Sequence, residues 1–121
     1  MTYNVLVLAY LGDAVYELEI RKYLLSKKIN KVNDLQNKAV KYVSAKSQSA
    51  YLKQMIDEKF LSEDEIAIVK RGRNHNITRH PKNTDIVTYK YSTGFETLIG
   101  SLYLENKTER ISEIIKFIIG G

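Results

Sequence analysis

Apolar residues recur every three or four positions along most of the chain, a spacing that places them on one face of a helix. In the first predicted helix, from about residue 4 to 26, this apolar stripe consists of Leu8, Leu11, Val15 and Leu18. No segment alternates apolar and polar residues with the period of two that a half-buried strand requires. The pattern therefore predicts an all-α fold, a helical bundle.

A second long helix is predicted from about Asn33 to Gln54. The apolar residues expected to face the core are Ala39, Val40, Val43, Ala50 and Tyr51. The lysines expected to face outward are Lys38, Lys41, Lys46 and Lys53. A capping box then begins at Ser62, where the side chains of Ser62 and Glu65 satisfy exposed backbone donors at the start of a third helix.

Two further helices are predicted in the last third of the chain. The first runs from about Ser92 to Glu105, and its expected buried residues are Phe95, Leu98, Ile99, Leu102 and Tyr103. Thr93, Glu96 and Gly100 share another face, which leaves room for a neighbouring helix or a hydrated ion. The second begins at about Thr108 and is expected to bury Ile111, Ile114, Ile115 and Ile118.

Two carboxylates stand inside these apolar segments, Asp13 in LAYLGDAVYE and Glu96 in STGFETLIGSLYL. A buried carboxylate without a partner costs several kcal/mol, so each one is expected to be buried and to require a cation. The alternative for Asp13 is an acid that packs between helices and pairs with a lysine or arginine. Glu17, one turn further on, is either an additional metal residue or an exposed neighbour.

Length and composition limit the class of protein. The 121 residues suffice for one domain, expected to span 1–121. The absence of cysteine excludes disulfide scaffolds, thiolate metal sites and cysteine nucleophiles, and suits a reducing cytoplasm. No apolar run approaches the roughly 18 residues of a membrane span, so a soluble cytoplasmic protein is expected.

The charge is positive, with 19 Lys and Arg against 14 Asp and Glu, and this balance favours a polyanionic partner. The excess is concentrated between residues 70 and 90, where Gly72 and Pro81 predict a surface loop. The candidate RNA-binding residues in this stretch are Lys70, Arg71, Arg73, Arg79 and Lys82. Two alternatives are favourable charge at the end of a helix and a solvated loop. His75 and His80 are expected to face substrate or solvent, without a general-base role.

Three segments in order resemble a known family. LAYLGDAVYE and TGFETLIGSLYL resemble the signature helix and the second acidic helix of the ribonuclease III catalytic domain. RGRN and PKNTDIVTYKYST resemble the Mini-ribonuclease III branch, which has this domain without a double-stranded-RNA-binding domain. The resemblance extends from about Asn4 to the last helix.

The resemblance implies an all-α, homodimeric endonuclease that cuts double-stranded RNA with Mg²⁺. It implies maturation of a ribosomal RNA precursor (23S), with possible assistance from a ribosomal protein. Asp13 and Glu96 match the catalytic, metal-binding acids of the two motifs. Longer ribonucleases III carry further acids where this chain has Ala9 and Thr93, and the Mini branch resembles this chain in that smaller acidic set.

The chemistry of the residues agrees with that implication. Mg²⁺ prefers carboxylate oxygens together with retained waters and substrate phosphate oxygens, so two protein carboxylates can hold one ion. The sequence offers no cysteine, no histidine pair at helical spacing and no glycine-rich phosphate loop for other mechanisms. The alternative is a non-catalytic helical RNA-binding or assembly module that kept the fold. The presence of both acids favours the enzyme.

Overall fold

The protein is described by a computed structural model over residues 3–75 and 82–120, and this part of the chain contains six helices and no strand. The helices are α1 (Val5–Ser26), α2 (Val32–Val43), α3 (Ala45–Asp57), α4 (Glu63–Arg73), α5 (Ile86–Leu104) and α6 (Thr108–Ile119). The predicted all-α bundle is confirmed.

Helix α5 is the centre of the bundle. Nine of its 19 residues are buried, and it packs against α1, α3, α4 and α6. Its contact with α1 is made through glycine. A Cβ atom on Gly12 would lie 1.8 Å from the carbonyl oxygen of Glu96, and one on Gly100 would lie 1.9 Å from that of Leu8. The face that carries Gly100 therefore receives a neighbouring helix, one of the two occupants expected from the sequence.

The buried face of α1 differs from the predicted stripe. Its buried residues are Leu8, Ala9, Gly12, Tyr16, Ile20 and Leu24. Leu18 is 57% exposed, and Leu11 and Val15 are only half-buried. The reason is the close contact at Gly12, which turns the flanking residues toward α5. Tyr16 then packs edge-on against Phe95, with ring centroids 4.9 Å apart.

The predicted second helix is two helices. The chain breaks at Ser44, whose ψ of 154° is extended, and the Ser44 hydroxyl oxygen accepts a hydrogen bond from the backbone N–H of Ser47 at 3.2 Å. Serine favours such an N-cap because its oxygen satisfies a free helix donor. The change of direction leaves Ala39 buried but exposes Val40 and Ala50, both predicted to face the core.

The ends of α4 and α5 also differ from prediction. The capping box at Ser62 is confirmed, but α4 continues through Gly72 to Arg73. Gly72 is buried, and a Cβ there would lie 2.4 Å from the Thr97 hydroxyl oxygen, so this glycine serves helix packing and not a loop. Helix α5 begins at Ile86, earlier than expected, because Asp85 caps it.

The core lies between α5 and the surrounding helices. Its apolar residues include Leu52, Met55, Leu98, Ile99 and Ile114, which are fully buried. Tyr103, predicted to face this core, is 46% exposed. Ile111, Ile114, Ile115 and Ile118 of α6 are buried as predicted.

One ion pair ties α6 to α4. The Arg110 guanidinium donates to both carboxylate oxygens of Glu65 at 2.8 Å and to the carbonyl oxygen of Phe60 at 2.7 Å. The hydrogen bond from Arg110 lowers the pKa of Glu65 below its ordinary value. Among the helices described, none has the length and apolar character needed to cross a membrane.

Candidate active site

Asp13 and Glu96 are 83 positions apart in the chain, yet their side chains lie within hydrogen-bonding reach of each other. The contact between α1 and α5 explains this proximity. Gly12 packs directly on the backbone of Glu96, so the next residue of α1, Asp13, projects beside the Glu96 carboxyl group. Two helices that each supply one acid thus form a single acidic pair.

The two acids differ in their exposure. Asp13 is exposed to solvent, and the prediction that it is buried is wrong. Its position lies at the edge of the face that packs on α5, between the buried and the exposed sides of α1. Glu96 is half-buried, because α5 is covered on most sides. The site therefore combines one recessed carboxyl group with one that opens to solvent.

The pair is electrostatically unfavourable when both members are ionised. Burial raises the pKa of Glu96 to about 8, and its contact with Asp13 adds to the rise through a hydrogen bond and through like charge. A hydrogen bond from Gln48 acts in the opposite direction. At neutral pH and without a cation, the pair therefore holds a proton.

Gln48 is a site residue that the sequence did not single out. It lies on the first turn of α3 and is 2% exposed. Its amide nitrogen donates to a carboxylate oxygen of Glu96 at 3.4 Å and to the carbonyl oxygen of Val43 at 3.2 Å. A signal was present in the spacing, since Gln48, Leu52 and Met55 share the inward face of α3.

The donor set fits a hard divalent cation. Two carboxyl groups that repel each other are relieved by a metal ion, and carboxylate oxygens suit Mg²⁺. Within residues 3–75 and 82–120, no group of three or more metal-binding side chains occurs. Glu17 points elsewhere and pairs with Arg21 at 3.1 Å, which agrees with its description as a neighbour outside the acidic pair.

Ala9 and Thr93, the two positions at which longer ribonucleases III carry an acid, are both buried by packing. Ala9 is buried on the α1 face that packs against the core. Thr93 is buried on α5, where its hydroxyl group donates to the carbonyl oxygen of Tyr89 at 2.9 Å. Neither side chain adds a carboxylate to the acidic pair.

The candidate RNA-binding residues fall into three groups. Lys70, Arg71 and Arg73 lie on the last turn of α4, so the prediction that they belong to a loop is wrong and the alternative, cations at the end of a helix, is confirmed. Lys82 is exposed before α5. Arg79 lies outside the described residues, as do His80 and Pro81.

The structure adds one cation, Lys53, to the candidate RNA-binding residues, and together they are called the basic surface. The Arg73 guanidinium lies 5.6 Å from the ring centroid of Tyr91, and the ammonium group of Lys53 lies 4.9 Å from the same centroid. No carboxylate of the described residues lies within 4.0 Å of either cation. Lys53 follows Gln48 on α3 by roughly 7 Å along the helix axis. The two cations therefore meet at the ring of Tyr91, which precedes Glu96 on α5 by five residues.

Comparison with known proteins identifies the family to which this arrangement belongs. The family model of the ribonuclease III domain matches residues 6–107, a range that contains both Asp13 and Glu96. The chain belongs to the ribonuclease III family.

Several proteins similar to this chain carry the name Mini-ribonuclease 3. The protein of that name from Clostridium tetani is 49% identical over 117 residues, which cover 96% of this chain and 76% of the relative. The one from Streptococcus pneumoniae is 44% identical, over 96% of this chain and 91% of the relative. A crystal structure of a protein from Fusobacterium nucleatum superimposes with a TM-score of 0.88 at 40% identity, over 98% of this chain and 93% of that one. The resemblance found in the sequence is confirmed.

Proposed function

We propose that this ribonuclease III-type endoribonuclease cuts double-stranded RNA with the help of Mg²⁺ held by Asp13 and Glu96. Membership of the family establishes the class of enzyme. The observation that supports the metal site is the acidic pair itself, in which a carboxyl group with a pKa raised to about 8 lies against a second acid. Such a pair is stable only with a shared proton or a cation.

The two acids have different parts in the reaction. Glu96 is recessed and is held by the amide of Gln48, so it fixes the position of the ion. Asp13 is exposed, so its carboxylate can complete the coordination at the surface where the RNA backbone arrives. A bound divalent ion would lower the pKa of the attacking water and neutralise charge that develops on the phosphate. Two carboxylates suffice for one such ion.

Binding of the RNA backbone is assigned to the basic surface. An A-form duplex presents phosphates and 2′-hydroxyl groups across a shallow minor groove, so recognition depends on shape and charge more than on sequence. The residues proposed to contact phosphate are Lys70, Arg71, Arg73, Arg79 and Lys82, joined by Lys53. The cations on the last turn of α4 also interact favourably with the partial negative charge at the C-terminal end of that helix. The same side chains can therefore stabilise the helix and contact phosphate.

The active form is proposed to be a homodimer that pairs through α1. This helix is apolar on two sides, one of which covers α5. The other side is exposed and carries Val7, Tyr10, Leu18 and Leu25, with Tyr10 84% exposed. A helix that is apolar all round is normally covered on all sides. In a two-fold dimer, the exposed apolar side of α1 in one copy of the chain would pack against the same side in the other copy, so that both are buried. Because Asp13 lies on the same helix, pairing there would bring two acidic pairs to one duplex, one for each strand.

The cellular role carried over from the resemblance is maturation of a ribosomal RNA precursor (23S) in the cytoplasm, with a ribosomal protein as a possible helper. Residues 1–121 are proposed to form a single catalytic domain. The decisive experiment is incubation of a long RNA duplex with the purified protein, with and without Mg²⁺. Cleavage only with Mg²⁺ supports the enzyme, whereas binding without cleavage would support the non-catalytic RNA-binding module.

A further inference from the structure

Gln48 occupies a position that ordinary packing does not explain. It is a polar side chain with 2% exposure at the junction of α2 and α3, beneath Glu96. The N–H groups of its amide are used, because both neighbours, the Val43 carbonyl and the Glu96 carboxylate, are acceptors. These two partners also determine which end of the amide is the nitrogen.

The other end of the same amide has no partner. The Oε1 atom of Gln48 is the only buried side-chain nitrogen or oxygen in the described part of the chain that lacks a hydrogen bond. A buried acceptor without a donor costs roughly 1–3 kcal/mol. Because Oε1 and Nε2 share one carbon atom, this free acceptor lies close to the Glu96 carboxylate. A leucine or methionine would fill the same space without that cost.

We propose that Gln48 is a positioning residue for the metal site. Its Nε2 atom holds the Glu96 carboxylate in the orientation that binds the cation, and its Oε1 atom accepts a hydrogen bond from a water molecule of the hydrated ion. Mg²⁺ keeps several of its waters when bound to protein, so such a donor is available next to Glu96 only when the ion is present. The inference rests on the proposed metal site at Asp13 and Glu96.

The proposal makes a quantitative statement about metal affinity. Residues that hydrogen-bond to metal ligands typically contribute roughly 10–100-fold to affinity. Gln48→Met keeps the length of the side chain and removes both the donor and the acceptor. We expect this variant to bind Mn²⁺, a probe with the same preference for oxygen ligands, at least roughly tenfold more weakly. Mn²⁺ binding to the RNA-free protein is followed by electron paramagnetic resonance, with Mg²⁺ as competitor.

The chain offers a matched control on the same helix. Gln54 donates from its amide nitrogen to the Glu58 carboxylate at 2.9 Å, but this pair is exposed, and Gln54 lies six residues beyond Gln48 on α3. Gln54→Met therefore removes an equivalent hydrogen bond and should leave the affinity for Mn²⁺ unchanged. In cleavage assays, Gln48→Met should raise the Mg²⁺ concentration needed for half-maximal rate, with the KM for duplex RNA unchanged.

A purely structural role predicts a different pattern. If Gln48→Met lowers the melting temperature but binds Mn²⁺ as tightly as the parent, the proposal is overturned. Gln48→Asn, which keeps the amide but withdraws it by one methylene group, provides a second variant should Gln48→Met not fold. It must lose affinity too, and unchanged affinity in this variant also overturns the proposal. Asp13→Asn tests the metal site separately from the role of Gln48. If this variant binds Mn²⁺ as tightly as the parent, the proposed metal site itself is wrong, whatever the result for Gln48.

Discussion

Replacement of Glu96 by glutamine should make the metal-free protein more stable at alkaline pH. The neutral amide has the shape of the protonated acid and can keep hydrogen bonds to both Gln48 and Asp13. In the parent protein, burial and the contact with Asp13 raise the pKa of Glu96 from 4.5 to about 8. The folded state therefore favours the protonated form, and the variant carries a permanent substitute for it.

The raised pKa of Glu96 determines how the stability of the parent protein changes with pH. The stability contributed by the protonated Glu96 is fully present below pH 4.5, where the unfolded chain is protonated too, and it is lost as pH rises through about 8. A pKa rise of one unit is worth about 1.4 kcal/mol, so the raised pKa of Glu96 corresponds to a loss of at most about 5 kcal/mol in the free energy of unfolding between pH 4.5 and pH above 8. The advantage of Glu96→Gln over the parent should grow across this range.

Urea unfolding in the presence of a chelator, at pH 5, 7 and 9, measures this difference directly. Glu58→Gln is the matched control, since Glu58 is an exposed acid that accepts a hydrogen bond from Gln54. Addition of millimolar Mg²⁺ at pH 9 should stabilise the parent and not Glu96→Gln. A stability difference between Glu96→Gln and the parent that does not change with pH would refute the reasoning, because it would mean that Glu96 ionises as freely in the fold as in the unfolded chain.

Three further predictions concern activity, assembly and RNA binding. Asp13→Asn should keep the fold by circular dichroism and abolish cleavage of duplex RNA, and activity within tenfold of the parent would mean that Asp13 is not a metal ligand. Tyr10→Lys, which places a charge on the exposed apolar side of α1, should convert a dimer into a monomer by light scattering at micromolar concentration; an active monomeric parent would contradict the proposed pairing. Joint replacement of Arg73, Arg79 and Lys82 by alanine should weaken duplex binding and reduce the slope of log affinity against log salt by about two to three, with Mn²⁺ binding retained. An unchanged salt titration would assign the RNA surface to the lysines of α2 and α3 instead.

The sequence by itself determined the features that depend on near neighbours. The beginning of α4 follows from the capping box at Ser62, and the buried face of α6 follows from its isoleucine spacing. The two acids were also identifiable, because each stands beside a glycine or a small residue in an otherwise apolar helix. These signals act over three or four residues, and such interactions are the same in a peptide and in the folded chain.

Only the tertiary structure decided which face of α1 is covered, where the second predicted helix breaks, and that the acids meet. The stripe through Leu18 and the residues around Tyr16 are both apolar, so periodicity could not choose between them; the fit of Gly12 against α5 did. The burial of Gln48 beneath Glu96 also depends on α3 packing against α5. A helix pattern records which sides of a segment are apolar, whereas the partner of each side is set by close packing between segments that are distant in the chain.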